Sequence, residues 1–161
     1  MVTLDQVIRT HGPALARVAA SYEADRALQE DLLQDILFAV HRALPALVDA
    51  TRLAPFVFRI AHNRGVSHVV RESGTKRRAR AADEPEPPPD PERQLIAEDR
   101  VRRLAAAVRR LPLPYRQVMT LLLEEMSHAE IAETLGLTAT NVAVRVNRAK
   151  AQLRTMLDDG R

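Results

Sequence analysis

Cysteine and tryptophan are absent from this chain, and Phe and Tyr together number five among 161 residues. Without cysteine there is no disulfide framework and no thiolate metal site, and nothing points to an oxidising compartment. Scarce aromatics and only five glycines, beside abundant Ala, Leu and Val, favour helices over sheets. No apolar run approaches the roughly 20 residues that a bilayer demands, and the opening MVTLDQVIRTHG lacks the basic-then-apolar order of a signal peptide. A soluble, cytoplasmic protein without membrane insertion is expected. The five histidines, His11, His41, His62, His68 and His128, show no metal-ligand spacing. There is no phosphate-binding glycine loop and no nucleophile elbow. No catalytic residue, metal, cofactor or small-molecule substrate is therefore assigned, and an enzyme is not expected.

What is present is unevenly charged. The net charge of +3 says little, but Lys and Arg outnumber Asp and Glu by 6 to 1 over residues 61–80 and by 10 to 6 over 101–161. Residues 81–100 reverse the balance, 2 to 7. Two basic blocks flanking an acidic one suit two separated contacts with phosphate, or simply a solvated surface. Residues 73–93, SGTKRRARAADEPEPPPDPER, hold five prolines and no aliphatic side chain larger than Ala. Such a segment buries too little apolar surface to offset its ordering entropy, and Pro87–Pro88–Pro89 favours extended polyproline II geometry. The reading is all-α: a helical domain at 1–72, a flexible proline-rich acidic linker at 73–93, and a second helical domain at 94–161.

The second domain carries the clearest pattern, SHAEIAETLGLTATNVAVRVNRAKAQL from Ser127 to Leu153. Ser127 and Glu130 have capping-box spacing, Ile131, Ala132 and Leu135 form a helical stripe, and Gly136 can end that helix in the left-handed region. Thr138 can cap a following helix with Val142, Val146, Ala149 and Leu153 inward. That leaves Asn141, Arg145, Asn147, Arg148 and Lys150 largely outward. This is a helix-turn-helix layout, whose second helix enters a DNA major groove; an ordinary helical hairpin with a solvated charged face is the competing reading. Before it, helices are predicted at Leu95–Leu111 and Tyr115–Glu125, separated by Pro112 and Pro114.

In the first domain, Thr3 and Gln6 form another capping box, and Gly12–Pro13 is expected to kink or split the helix that follows. A second helix is expected from about Ala24 to Leu44, stopped by Pro45, and a third from about Pro55. Within the second, EDLLQDIL places Asp31, Gln34 and Asp35 on one side: either a docking face for a basic helix or a solvated one. Within the third, FVFRIAHNRG projects Arg59, His62, Asn63 and Arg64, with Arg71, Lys76, Arg77, Arg78 and Arg80 following. Aromatic and amide groups beside cations are what capture of an unstacked base requires. Phe56 reads as core, and Phe58 fits either core or base contact.

Taken together, EDLLQDIL with FAVHRAL, FVFRIAHNRGVSHVVRE, and LPLPYRQVMTLLLEEMSHAEIAETLGLTATNVAVRVNRAKAQL resemble the extracytoplasmic-function (ECF) group of bacterial RNA polymerase sigma factors. The similarity runs in order from about Leu4 to Leu157. It implies a promoter-specific initiation factor that binds core RNA polymerase through Asp31, Gln34 and Asp35. It implies opening of the −10 element, with Phe58, Arg59, His62, Asn63, Arg64 and Arg71 at the single strand. The −35 duplex would be read from Thr140, Asn141, Arg145, Asn147, Arg148 and Lys150. Promoter DNA and an anti-sigma factor are the further partners that the resemblance implies. A stand-alone helix-turn-helix regulator is the other reading; it has no need of FVFRIAHNRG or the basic tail.

The chain departs from the group's pattern at several positions. The group commonly has Asp where Ser67 stands, Arg where His62 stands, Trp where Phe56 stands, Lys where Ala143 stands, a small polar residue where Val144 stands, and an acid where Leu28 stands. Loss of that Lys removes one contact to phosphate or base, so normal folding with a non-standard promoter preference is expected.

Overall fold

The computed structural model describes residues 1–79 and 96–159. They form seven α-helices: α1 (Leu4–Tyr22), α2 (Arg26–Ala43), α3 (Leu53–Ala79), α4 (Ile96–Arg110), α5 (Leu113–Leu123), α6 (His128–Leu135) and α7 (Ala139–Asp159). Short 3-10 turns at Leu44–Ala46 and Ala50–Arg52 join α2 to α3, and no strand occurs among the described residues. Most of the proline-rich segment expected as a linker lies outside the described residues. Its first part does not behave as linker, because α3 continues seven residues past position 72, to Ala79. None of the described helices is long and apolar enough to cross a membrane.

Local chemistry accounts for most of the helix ends. Thr3 Oγ1 accepts from the Gln6 amide while Gln6 Oε1 accepts from Thr3 N, at 3.3 and 2.8 Å. Asp25 caps α2 by accepting from Leu28 N at 3.0 Å. Ser127 and Glu130 exchange two such bonds at α6, both 3.1 Å. Gly136 ends α6 at φ +71°, where a Cβ would meet nothing within 4 Å; conformation alone demands glycine there.

Of the two outcomes expected at Pro13 the split does not occur: α1 is one helix across it. A proline inside a helix forfeits a hydrogen bond and crowds the preceding turn, at a cost of roughly 3 kcal/mol. Val7 on one side and Leu15, Val18 and Ala19 on the other are fully buried in the same core. At about 1.5–3 kcal/mol for each large apolar side chain, that burial outweighs the break.

The first three helices enclose one part of the core. Leu32, Ile36 and Val40 enter it from successive turns of α2, and Val57, Phe58 and Ala61 enter from α3. The last four enclose Val108, Leu111, Val118, Leu121, Ile131, Val142, Val146 and Ala149. The two halves also pack on each other, α1 against α4 and α5, and α3 against α6. Arg17 grips Glu124 with two bonds, at 2.6 and 2.7 Å. Arg109 donates to the Ala20 carbonyl at 3.0 Å, and buried Thr120 donates to Ser21 Oγ at 3.1 Å. The two helical domains thus also pack on each other among the described residues.

Candidate nucleic-acid interface

Helix α7 presents its polar side as a continuous surface. Thr138 Oγ1 accepts from Asn141 N at 3.1 Å, which seats the helix start. At 3.6 residues per turn, Asn141, Arg145 and Arg148 line up as one row, and Thr140, Val144 and Asn147 as the row beside it. Thr140, Asn141, Asn147 and Arg148 are exposed, and Arg145 is half-buried. Arg145 Nε donates to Asn141 Oδ1 at 3.1 Å, which fixes the amide's orientation while leaving its NH2 group free to donate. Lys150 is exposed but stands on the flank beyond Asn147. Five of the six expected residues therefore share one surface, and the sixth borders it. On the opposite side Val142, Val146, Ala149 and Leu153 are buried, as the periodicity predicts.

Helix α3 corrects the second group. Arg59, Asn63, Arg64 and Arg71 are exposed, but Phe58 is 4% and His62 1% exposed. Neither is available to an unstacked base. Phe58 lies edge-on to His11, ring centroids 5.7 Å apart, while Phe56 is only half-buried. Of the two readings left open for Phe58 the core one holds, because the buried stripe of α3 runs through Val57, Phe58, Ala61, His62 and Gly65, and Phe56 packs against the edge of the same core. His62 belongs to that stripe: positions 58, 62 and 65 are one and two turns apart.

His62 Nδ1 and the Tyr22 hydroxyl are 2.5 Å apart, with the rings edge-on. Burial pushes the His62 imidazole down to about 3, so the ring is neutral at physiological pH. Burial also raises the Tyr22 phenol, against the opposing charge of Arg116, whose guanidinium sits 5.9 Å from the ring centre. Gly65 permits this arrangement, since a Cβ there would come within 2.6 Å of the Tyr22 ring. One turn further on, His68 Nε2 meets Glu23 Oε1 at 2.9 Å, both residues buried. Neither pair was visible to sequence reasoning; the signal that could have found them is a glycine in the middle of a helix with no turn to explain it.

Arg59, expected at a DNA strand, is engaged elsewhere. Its Nη2 and Nε donate to the carbonyls of Glu133 and Thr134 at 2.6 and 3.2 Å, and Arg52 pairs with the Glu133 carboxylate. Guanidinium donors at the C-terminal end of α6 satisfy carbonyls the helix leaves open and match the negative end of its dipole. A cavity of about 310 Å³ remains beside this contact, lined by Arg59, His62, Asn63, Gln117 and Gly136 among others. The α7 half of the expected interface is therefore open, while on α3 Phe58 and His62 are buried, Arg59 is held by α6, and Asn63, Arg64 and Arg71 stay exposed.

The expected docking face on α2 has Asp31 and Gln34 exposed and Asp35 half-buried. Asp35 Oδ2 is 3.8 Å from Arg64 Nε, so the docking group and the strand group adjoin. Sequence reading passed over Phe38, one turn beyond Gln34: it is 59% exposed, with the Arg42 guanidinium 5.6 Å from its ring centre. Among the described residues, no cluster of His, Asp and Glu could hold a metal ion.

Comparison with known proteins bears on both halves. Residues 7–75 match Sigma-70 region 2, and residues 101–153 match Sigma-70, region 4. The RNA polymerase sigma factor NccH of Alcaligenes xylosoxydans xylosoxydans is 30% identical over 161 residues, 94% of this chain and 85% of that one. The ECF RNA polymerase sigma factor SigE of Mycolicibacterium smegmatis is 29% identical over 162 residues, covering 98% of this chain and 62% of that one. The solved structure of CnrH in complex with the cytosolic domain of CnrY superposes with a TM-score of 0.70 at 26% identity, across 97% of this chain and 88% of that one.

Proposed function

The chain belongs to the ECF group of the sigma-70 family, and from that premise we propose how its surfaces divide the work of starting transcription. As a sigma factor it binds core RNA polymerase and directs promoter-specific initiation. It supplies recognition, and bond formation belongs to the polymerase.

In this reading residues 1–79 form the polymerase-binding and −10 module, 80–93 the connector, and 94–161 the −35 module. The −35 duplex meets the exposed rows of α7. Asn141 and Arg148 are suited to base edges, Asn to adenine and Arg to guanine, and Arg145 holds the Asn141 amide. Thr140 and Asn147 lie on the same surface, and flanking Lys150 is placed for phosphate, which fixes register without reading sequence. Asp31, Gln34 and Asp35 dock on the polymerase. Asn63, Arg64, Arg71 and, once released, Arg59 attend the −10 strand. Because Arg59 is bound to the end of α6, the two halves must part before it can reach DNA. A regulatory protein seated on the sigma factor is the third partner; CnrH, which shares this fold, was solved with the cytosolic domain of CnrY.

The observation that carries this reading is the open, internally ordered polar surface of α7 in a chain whose two halves match sigma regions 2 and 4. Run-off transcription with purified core polymerase on genomic DNA tests it. Transcripts that start at discrete sites only when the chain is added support it. A chain that fails to bind core polymerase, or start sites unchanged by its addition, overturns it.

A further inference from the structure

The recognition surface of α7 contains one side chain that no polar contact explains. Val144 is 40% exposed, in the second turn of the helix. It lies between Thr140 and Asn147 in its own row and beside Asn141, Arg145 and Arg148 in the next. A major groove offers hydrogen-bonding groups on every base pair but one kind of apolar feature, the C5 methyl of thymine. The first turns of a recognition helix are the part that reaches base edges. A valine is well suited to that methyl: β-branching leaves one dominant rotamer in a helix, so its two methyls are held in place before binding, and little side-chain entropy remains to be lost.

We propose that Val144 is a specificity-determining residue that reads the C5 methyl of a thymine in the −35 duplex. The proposal rests on the assignment of α7 to that element. It makes the chain's preference at one base pair depend on shape and apolar contact, where its neighbours depend on hydrogen bonds.

The test uses the full chain assembled with core polymerase. Duplex −35 sequences are selected from a randomised library, and each thymine in the selected site is replaced in turn by deoxyuridine, which lacks only the C5 methyl. At one position this should weaken binding about fourfold, the equivalent of about 0.8 kcal/mol for one buried methyl-sized group. Val144→Ser should bind the thymine and deoxyuridine duplexes equally, and selection with V144S should lose the thymine preference at that position. Arg148→Ala is the control for the underlying assignment, because it should weaken binding to every duplex. If R148A weakens binding and no thymine is sensitive to methyl loss, or the sensitivity survives in V144S, Val144 does not read a methyl. A selected site without thymine has the same meaning. If R148A and V144S both leave duplex binding and selection unchanged, α7 is not the −35 reader at all.

Discussion

Replacing His62 with leucine should remove a pH dependence that the native chain carries in its folding equilibrium. In the folded protein burial drives the imidazole down to about 3, whereas an unfolded chain holds a histidine near 6.5. Between those values the unfolded chain takes up a proton that the folded chain refuses. Stability is therefore complete above about pH 6.5 and falls as the pH is lowered toward 3. The loss from this one group is about 1 kcal/mol at pH 5.5 and about 2 kcal/mol at pH 5, relative to pH 7.5. His62 is 1% exposed, so solvent gives it little relief. Urea unfolding followed by far-ultraviolet circular dichroism at pH 7.5, 6.5, 5.5 and 5 measures the slope for both proteins. His62→Leu lowers stability by a constant amount, since it leaves the Tyr22 hydroxyl without its partner. All other groups, the Glu23–His68 pair included, are common to both proteins, so the difference between slopes isolates His62. Equal slopes would refute the reasoning and mean that water reaches the imidazole.

Two glycine substitutions should fail for different reasons. Gly65→Ala drives a methyl into the Tyr22 ring, costing about 1–3 kcal/mol by overpacking. Gly136→Ala has open space but holds φ +71° and should cost about 1 kcal/mol; thermal unfolding measures both. Asparagine should be tolerated better than alanine at Gly136 and no better at Gly65. Ser127→Ala should cost about 1 kcal/mol by removing the acceptor for Glu130 N, read in the same melts. Arg59→Ala combined with Arg17→Ala removes four hydrogen bonds between the halves. Hydrogen exchange should then rise at 59–64 and 131–136 while the buried amides of α7 stay protected; unchanged exchange at α6 would mean these contacts do not hold the halves together. Asp31→Lys with Gln34→Ala should weaken capture of core polymerase at least tenfold with no change in melting temperature, measured by equilibrium pull-down.

Local rules work where the cause lies within a few residues. The caps at Thr3, Ser127 and Thr138 and the stop at Gly136 could be read from spacing because donor and acceptor are three residues apart. The inward face of α7 followed from a 3.6-residue period. His62, in contrast, was misplaced. Polarity put His62 with Arg59 and Asn63 on the outside, but its ring is accommodated by a tyrosine 40 positions earlier, and a partner at that separation leaves no periodic trace. Propensity alone likewise could not choose between a kink and a split at Pro13, since it counts the lost hydrogen bond and not the burial on either side of it. The linker was started too early, at residue 73, because charge and small residues look alike in a helix and in a connector.

Composition and pattern thus determined the all-helical class, most helix boundaries within a few residues, the helix-turn-helix and the family it resembles, since each depends on neighbours in the chain. Tertiary structure decided which of the singled-out groups meet solvent. Arg59 is tied to carbonyls 74 and 75 residues away, while Asn141 and Arg148 stay open. Those outcomes depend on which helix lies against which. An arginine that can satisfy a helix end, or a histidine that can share a proton with a buried phenol, does so only once folding has brought the distant partner within 3 Å or so.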